Sequence, residues 1–305
     1  MDPLSDVLSL LKAQSYMSAG FEAGGSWALH FPEHHQCIKC NVIVSDECWL
    51  AVDAVPAAVH LKTGDCFVLP SGRPFRLASD LSLPAADATA VFSGSSEGGV
   101  VTYNGGGSFS LVGSRFAVSG HNVATLLGML PPIVHISKAP DQAMLRWAVE
   151  SMMQELREPQ PGGLLIAQHL AHMMLVQALR MHMASASESS DSGWFAALAD
   201  KQLSKAINAM HKDPARRWTV LSLAERAGMS RSVFSLKFKQ AVGSSPLEYL
   251  TRWRMLLAAD RLTTGSDPVS AVALSLGYES ESAFSTAFKR TLGSSPRQYS
   301  RVAGG

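Results

Sequence analysis

The four cysteines of this 305-residue chain are the side chains best suited to redox or metal chemistry: Cys37, Cys40, Cys48 and Cys66. One interpretation is structural, because buried cysteine often acts as a small apolar residue. A second is a thiol switch, since Lys39 within the C-x-x-C pair could lower a thiol pKa and favour oxidation. A third is a four-thiolate zinc site, although a second C-x-x-C pair is missing. Zinc is the only cofactor that the sequence suggests.

Other side chains could serve a small organic ligand or a metal. A barrel mouth is a common place for a small effector. Its lining could include Trp27, His30, Trp49 and Arg76, which could equally be core or surface residues. His169 and His172 lie three apart, which suits a metal pair but is more typical of a helix surface or a dimer contact.

The C-terminal third of the chain repeats itself at a spacing of 50 residues. Phe234 and Phe238 recur as Phe284 and Phe288, and Tyr249 recurs as Tyr299. The segment Gly-Ser-Ser-Pro also appears twice, at 243–246 and at 293–296. Several matched positions at one offset indicate two copies of one supersecondary unit.

Each copy has the pattern of a helix-turn-helix unit. In the first copy we predict a helix over 221–227, a stop at Gly228, and an N-cap at Ser230 for a helix reaching 241. In the second copy we predict helices over 269–276 and from Ser280 to about 292, with a turn one residue longer. A helix over 246–264 should pack the two copies together.

The second helix of each copy could enter the major groove of DNA, with its N-terminal face toward the bases. Shorter side chains on that face suit base contacts and longer cations suit phosphate. Glu281 could accept from a cytosine amino group or could act only as a helix N-terminal charge. The predicted base contacts are Ser232, Ser235, Leu236, Glu281, Ser282, Ser285 and Thr286. The predicted phosphate contacts are Arg231, Lys239, Lys289 and Arg290.

Charge and composition divide the chain in two. Residues 197–305 carry a net charge of +8, whereas residues 1–196 carry −7. Only the C-terminal part therefore suits a polyanion. A small, polar, acidic stretch at 184–196 reads as a linker between domains 1–183 and 197–305. No apolar run reaches the ~18 residues of a membrane helix, and the first residues lack a secretory signal. We therefore expect a cytoplasmic protein with reduced cysteines.

The N-terminal domain is predicted to combine β structure with a helical hairpin. Short apolar runs separated by turns between about 20 and 116 favour a barrel or sandwich. Apolar residues at helical spacing then predict two helices, over 141–156 and 164–183. The predicted fold class is α+β in two domains, with an all-α C-terminal domain.

The C-terminal part resembles the AraC/XylS family of bacterial regulators over about 197–302. The resemblance rests on segments 223–230, 234–239, 242–249, 272–278 and 284–290. It implies a non-enzymatic, sequence-specific transcription regulator that binds double-stranded promoter DNA and works with RNA polymerase. It places the base-reading residues on the same positions as above. It also implies a homodimer, for which we expect the helices at about 140–183 to provide the contact.

The N-terminal half resembles the cupin-type sensor found in one branch of that family. The segment Gly64-Asp65-Cys66-Phe67-Val68-Leu69-Pro70-Ser71-Gly72-Arg73-Pro74 is similar to the second cupin motif. Metal-binding cupins would carry a histidine where this chain has Phe75. They would also carry His-x-His in the strand occupied by Lys39-Cys40-Asn41. The resemblance therefore implies a sensor domain for a small effector or for cysteine oxidation, not a cupin metal enzyme.

One alternative joins the same DNA reader to an enzyme. Cys37, Cys40, Cys48 and Cys66 could form a zinc-thiolate alkyl acceptor of the kind that repairs DNA and then activates genes. No Pro-Cys-Arg segment typical of such an active site is present in the sequence. Zinc content and irreversible methyl transfer to one cysteine would distinguish the two functions.

Overall fold

The computed structural model describes residues 2–34, 36–93, 99–118, 127–128, 130–137, 143–186, 193–265 and 267–303. The chain divides into two compact units. The barrel unit comprises Ala13–Val118 and Leu130–His182. The helical unit comprises Met1–Lys12, Ser119–Met129 and Met183–Gly305. The α+β fold class is confirmed, and the first helix of the chain belongs to the helical unit.

Two sheets form the β part of the barrel unit. One has six strands in the order β11-β6-β3-β10-β1-β9, and the other has five in the order β5-β4-β7-β2-β8. A short helix, α2 (Ala88–Val91), follows β8. The strands are β1 (Gln14–Ala23), β2 (Ala28–Phe31), β3 (Cys37–Ser45), β4 (Glu47–Val52), β5 (Val59–Lys62), β6 (Cys66–Leu69), β7 (Phe75–Ala78), β8 (Ala86–Asp87), β9 (Val100–Tyr103), β10 (Phe109–Ala117) and β11 (Val134–Ile136).

The core of this unit lies between the inner faces of the two sheets. Phe21 contacts Trp27 with ring centroids 5.3 Å apart, and Trp27 contacts Phe109 at 4.6 Å. Strand β3 sits between β10 and β6 in an antiparallel register that places Lys39 opposite Arg115 and Leu69. Because side chains alternate along a strand, Lys39, Asn41 and Ile43 face one side of the sheet while Cys40 faces the other.

The predicted helical hairpin is present as α3 (Ala143–Arg157) and α4 (Gly163–Ala186). Helix α3 packs on β1 and β10, and it buries Met152 and Met153. Both helices also keep large apolar side chains at the surface. These are Met144, Trp147, Leu164, Leu165 and Ile166, which are 46–62% exposed.

The remaining helices belong to the helical unit. Of the predicted linker 184–196, residues 184–186 end α4 and residues 187–192 lie outside the described part of the chain. Residues 194–196 begin a helix and bury Trp194 and Phe195, so this end of the stretch is not a linker. No helix within the described ranges is both long and apolar enough to cross a membrane. The helices are α1 (Pro3–Leu11), α5 (Trp194–Ala199), α6 (Leu203–Lys212), α7 (Val220–Ala227), α8 (Arg231–Val242), α9 (Pro246–Thr264), α10 (Val269–Ser275), α11 (Glu281–Leu292) and α12 (Pro296–Ala303).

Capping residues determine where the helices of the two helix-turn-helix units begin and end. Gly228 ends α7 in the left-handed conformation, with φ of 66°, which glycine adopts at little cost. Ser230 and Ser280 cap α8 and α11 through hydrogen bonds from the backbone of Val233 and Ala283. The predicted caps are thus confirmed. The second turn is also longer, as predicted, but by two residues instead of one, because five residues separate its two helices and three separate those of the first unit.

The duplicated aromatic residues form equivalent cores in the two units. Phe234 and Phe238 are fully buried in the first unit, and Phe284 and Phe288 are fully buried in the second. Helix α9 contacts α8, α10, α11 and α12, so it joins the two helix-turn-helix units as expected. Its capping box, in which Ser245 and Glu248 bond each other's backbone, fixes where this helix begins.

Helix α1 packs on α6 and α9. Asp2 caps it by accepting a hydrogen bond from the backbone of Ser5, and Pro3 occupies its first turn. The Asp6 carboxylate lies 3.1 Å from Nδ1 of His211, a residue of α6. Just after the helix, Nζ of Lys12 lies 2.7 Å from the carboxylate of Asp260 on α9. This helix was not predicted, although its Asp-Pro start is a helix N-terminal signal.

Candidate DNA-binding surface and barrel cavity

The first candidate recognition helix, α8, exposes one face of its N-terminal half. Arg231, Ser232 and Lys239 are exposed, and Ser235 is partly buried beside the aromatic core. Leu236 is 62% exposed and has no polar atom to offer a base edge. The apolar surface of Leu236 can instead meet a thymine methyl group. The five side chains predicted to contact DNA therefore lie along one helix and are accessible to different degrees.

The second candidate recognition helix, α11, has the same frame but different chemistry. Ser282, Thr286, Lys289 and Arg290 are exposed, and Ser285 is partly buried. The Thr286 hydroxyl donates to the backbone oxygen of Ser282 at 3.0 Å, so its oxygen remains available to accept from a base. The position that carries Arg231 in the first unit carries Glu281 in the second.

Glu281 has a partner that sequence reasoning missed. Its carboxylate accepts from the Arg297 guanidinium at 3.1 Å, across the turn between α11 and α12. It also follows the N-cap Ser280 directly, where a negative charge favours the helix N-terminus. This geometry supports the helix-charge interpretation of Glu281 over the cytosine contact. The assignment of individual residues to bases and phosphates remains a prediction.

The strand geometry separates the two cysteines of the C-x-x-C pair. Cys37 and Cys40 lie in one regular strand, so their Cα atoms are roughly 10 Å apart, beyond disulfide reach, and their side chains face opposite ways. The thiol of Cys66 instead hydrogen-bonds to that of Cys40. Cys48 lies in the other sheet, within the core between the sheets.

The environment of Cys48 and Cys66 disfavours the reactive thiolate form. All four are buried, and none of them is in a disulfide. The hydrogen bond to Cys40, together with burial, raises the pKa of the Cys66 thiol well above its ordinary value. Burial, with help from Asp46 and Asp65, raises the pKa of Cys48 to about 12. Within the described ranges, no three side chains of His, Cys, Asp or Glu are grouped as metal ligands would be.

A cavity of about 270 Å³ opens within the barrel unit. None of the residues suggested from sequence as its lining lines it. Trp27 is buried in the core, Trp49 stacks on His60 at 4.6 Å, and Arg76 donates to the backbone oxygen of Leu83 at 2.6 Å. The register of the strands decides which residues face inward, and the composition of the apolar segments does not reveal that register.

Three of the cavity-lining residues occupy the positions where the cupin resemblance places metal ligands. These are Lys39, Asn41 and Phe75. An ammonium group and a phenyl ring do not coordinate a divalent cation, so this set does not fit the metal site of a cupin enzyme. The cavity is instead a largely apolar chamber with a few polar groups, which is the composition of a small-molecule site.

Lys39 is the most unusual group in the cavity. Its side chain is 5% exposed, and Nζ has no hydrogen-bond partner. Nζ lies 4.3 Å from the ring centroid of Phe75 and 5.1 Å from that of Phe31, and these two rings stack on each other. Burial, together with the charge of Arg115, lowers the pKa of Lys39 to about 7. Burial, with Arg115 and Lys39 as neighbours, also lowers the pKa of His34 to about 4.

One histidine of the pair on α4, His172, faces the backbone of its own unit. Its Nδ1 and Nε2 atoms lie 2.8 and 2.7 Å from the backbone oxygens of Gln168 and Ala13. Both of its nitrogens therefore lie next to backbone oxygens, whereas His169 is exposed. The metal-pair hypothesis for these two histidines receives no support from this geometry.

Together, the duplicated helix-turn-helix units and the two-sheet barrel with its cavity define a two-domain DNA-binding regulator. A family model described as "Cupin" matches residues 2–184, and one described as "Helix-turn-helix domain" matches 223–301. An AraC-like transcription regulator of Streptomyces antibioticus is 43% identical over 92% of both chains. Another, from Streptomyces lividans, is 42% identical over the same shares.

Among solved structures, the DNA-binding domain of AdpA in complex with a target DNA is 34% identical. It covers 34% of this chain and 93% of its own, with a TM-score of 0.33. On the family models and the Streptomyces relatives, this chain belongs to the AraC-like transcription regulators that carry an N-terminal cupin domain.

Proposed function

We propose that this AraC-like regulator binds its promoter site through α8 and α11, which enter successive major grooves about 34 Å apart. The observation that carries the proposal is the duplicated helix-turn-helix unit with accessible helix faces, in the region of net charge +8. Lys239 and Lys289 take equivalent positions in the two helices, so both helices can contact phosphate in the same way. The protein would bind this DNA in the cytoplasm and regulate transcription together with RNA polymerase.

We further propose that the barrel unit is a sensor without enzymatic activity. Its cavity is the site for an effector, and occupancy would favour one of two states that differ in DNA affinity. Cysteine oxidation is the second candidate signal. The contact between Cys40 and Cys66 favours that pair over Cys37 and Cys40, because it already brings two sulfurs within hydrogen-bond reach. Both thiols are buried, which argues for the cavity as the primary sensor.

The same unit is proposed to form a homodimer. The exposed apolar side chains of α3 and α4, led by Trp147 at 54% and Leu165 at 62%, form a surface of the kind that interfaces cover. Two copies would place two DNA-binding units on adjacent half-sites.

Gel-shift titration of the full-length protein tests DNA recognition. Lys239→Ala and Lys289→Ala should weaken binding to every duplex alike and reduce the salt dependence of affinity, because each removes a phosphate contact. Ser235→Leu and Ser285→Leu should instead change the preference among duplex sequences. Lys205→Ala, an exposed lysine outside both recognition helices, is the matched control. Affinity that does not change with salt, or loss from all variants alike, would contradict the proposal.

A further inference from the structure

The cavity of the barrel unit contains two polar groups that the protein itself leaves unsatisfied. Nζ of Lys39 has no hydrogen-bond partner, and neither does the side-chain nitrogen of Asn41. Both residues line the cavity and both belong to the same face of β3. A buried donor without a partner costs free energy of folding, and a buried ammonium costs more than a neutral amide. Such a group is explained when a ligand supplies the missing partner.

The charge around these donors is one-sided. Arg115 also lines the cavity and lies opposite Lys39 in the neighbouring strand. Among the lining residues within the described ranges, none is an aspartate or a glutamate. Among the described residues, the lining of the cavity thus contains basic side chains and no carboxylate. A ligand that carries a negative charge would complement it, and a cationic ligand would be repelled.

The rest of the lining is apolar and aromatic. Phe31 and Phe75 stack at 4.4 Å beside the lysine, and Phe21, Leu77 and Leu111 extend this surface. Gly113 makes room for the Asn41 side chain, because a Cβ at this position would collide with its amide oxygen. A cavity of about 270 Å³ corresponds to about nine water molecules at roughly 30 Å³ each, which suits a small organic molecule.

From these features we infer that the barrel cavity binds a small organic monocarboxylate, with its carboxylate on Lys39 and Asn41 and its apolar body against Phe31 and Phe75. The inference rests on the proposed sensor role of the barrel unit and names the chemical class of its effector. A carboxylate offers two acceptor oxygens to the two unsatisfied donors. A phosphate dianion would carry more charge into an apolar chamber and would lose more hydration free energy there.

Isothermal titration calorimetry of the full-length protein tests the inference with three probes: phenylacetate, octanoate and the neutral phenylacetamide. We expect at least one of the two carboxylates to bind at one per chain. We expect phenylacetamide, which has nearly the shape of phenylacetate, to bind about tenfold more weakly or worse, because it lacks the charge-assisted hydrogen bond.

Matched lysine variants locate the site. Lys39→Met and Lys39→Gln should each weaken carboxylate binding by about tenfold or more, whereas Lys62→Met, at an exposed lysine of β5, should leave it unchanged. Circular dichroism confirms that each variant is folded. The inference fails if neither carboxylate binds the folded protein at millimolar concentration, or if phenylacetamide binds as tightly as phenylacetate. It also fails if both Lys39 variants keep the wild-type affinity.

These outcomes are separable from failure of the proposed function. Equal binding of amide and carboxylate would overturn the anionic class while leaving a small-molecule sensor in place. Loss of salt-dependent DNA binding in the gel shift would overturn the regulator function, whatever the calorimeter shows.

Discussion

The two units of the molecule treat buried polar groups in opposite ways. In the helical unit, four side chains form a closed series: the Trp194 indole donates to the Tyr249 oxygen at 3.0 Å, and the Tyr249 hydroxyl donates to Nε2 of His211 at 2.8 Å. Nδ1–H of His211 then donates to Asp6 at 3.1 Å. In the barrel unit, Lys39 is buried with an unused donor.

The difference separates buried polar groups that stabilise the fold from a buried polar group that suits ligand binding. The series in the helical unit joins α1, α5, α6 and α9, and each of the four side chains has a partner within the protein. Such a series contributes to stability only while it is complete. The lysine in the barrel contributes nothing of that kind to the fold, so its burial is a cost that binding can offset. Substitutions in the series of the helical unit are therefore expected to lower the stability of the protein, whereas substitution of Lys39 is expected to raise it.

The largest expected effect is at the middle of the closed series. His211→Leu leaves Asp6 and Tyr249 without their shared partner, and should lower the free energy of unfolding by about 2–4 kcal/mol. Urea denaturation, monitored by tryptophan fluorescence, measures this free energy of unfolding. His169→Leu, the same change at an exposed histidine, is the control and should have little effect. If the two variants unfold at the same urea concentration, the series is not a stabilising one.

Lys39→Met should have the opposite sign. Replacing a buried, unpaired ammonium by an apolar side chain of similar length should raise the free energy of unfolding of the ligand-free protein by about 1–3 kcal/mol near pH 7. The pKa of Lys39 is about 7 when folded against 10.5 unfolded, so the wild-type protein releases its proton on folding between these values.

Wild-type stability should therefore rise with pH over that window, and the advantage of Lys39→Met should shrink. Arg115, Cys37 and His34 are the other titratable groups around this amine. Thermal unfolding over the same pH range measures the difference, with Lys62→Met as control. A Lys39→Met protein that melts below wild type at every pH would mean that the lysine stabilises the barrel.

A smaller effect is expected at Tyr249. Tyr249→Phe removes one hydroxyl that both accepts from Trp194 and donates to His211, and should cost about 1–2 kcal/mol. Combined with His211→Leu, its effect should be less than additive, with a coupling of about 0.5–2 kcal/mol, because the two variants break the same bond. Additive losses in the double variant would show that the series does not act as one unit.

The smallest expected effect is a pH dependence of the helical unit. Burial lowers the pKa of His211 to about 4, against 6.5 unfolded, although Asp6 opposes the shift. The unfolded chain therefore takes up a proton first as pH falls, and stability decreases from pH 6.5 toward pH 4. We expect a loss of about 1 kcal/mol between about pH 6.5 and about pH 5.5, absent from His211→Leu. Equal slopes in the two proteins would assign the effect to other groups.

The parts of the fold that depend on local signals could be predicted from sequence. Ser230 and Ser280 cap their helices because a serine oxygen reaches a nearby backbone N–H, and Pro246 starts α9 because its fixed φ suits a first turn. The repeat at 50 residues then gave the arrangement of two equivalent units. The capping signals act within a few residues, and the repeat is visible directly in the sequence.

The cavity could not be predicted in the same way, because it depends on which strands pair and in what register. Lys39 was noted from sequence only within the C-x-x-C pair and at the position of a cupin metal ligand, and its inward orientation follows from the pairing of β3 with β10 and β6. The partner of Glu281 lies on the next helix, and the partner of His211 lies 205 residues away in Asp6. No local pattern encodes contacts at such distances.

The placement of α1 has a consequence for how the protein is made. Leu4, Val7 and Leu11 are buried, and the helix packs on α6 and α9, which are encoded in the last third of the chain. Residues 3–11 are translated about 190 residues before the first of the surfaces that receive them, which begins at Leu203. The helical unit therefore cannot be completed during synthesis of the barrel, and it closes only when translation is nearly finished.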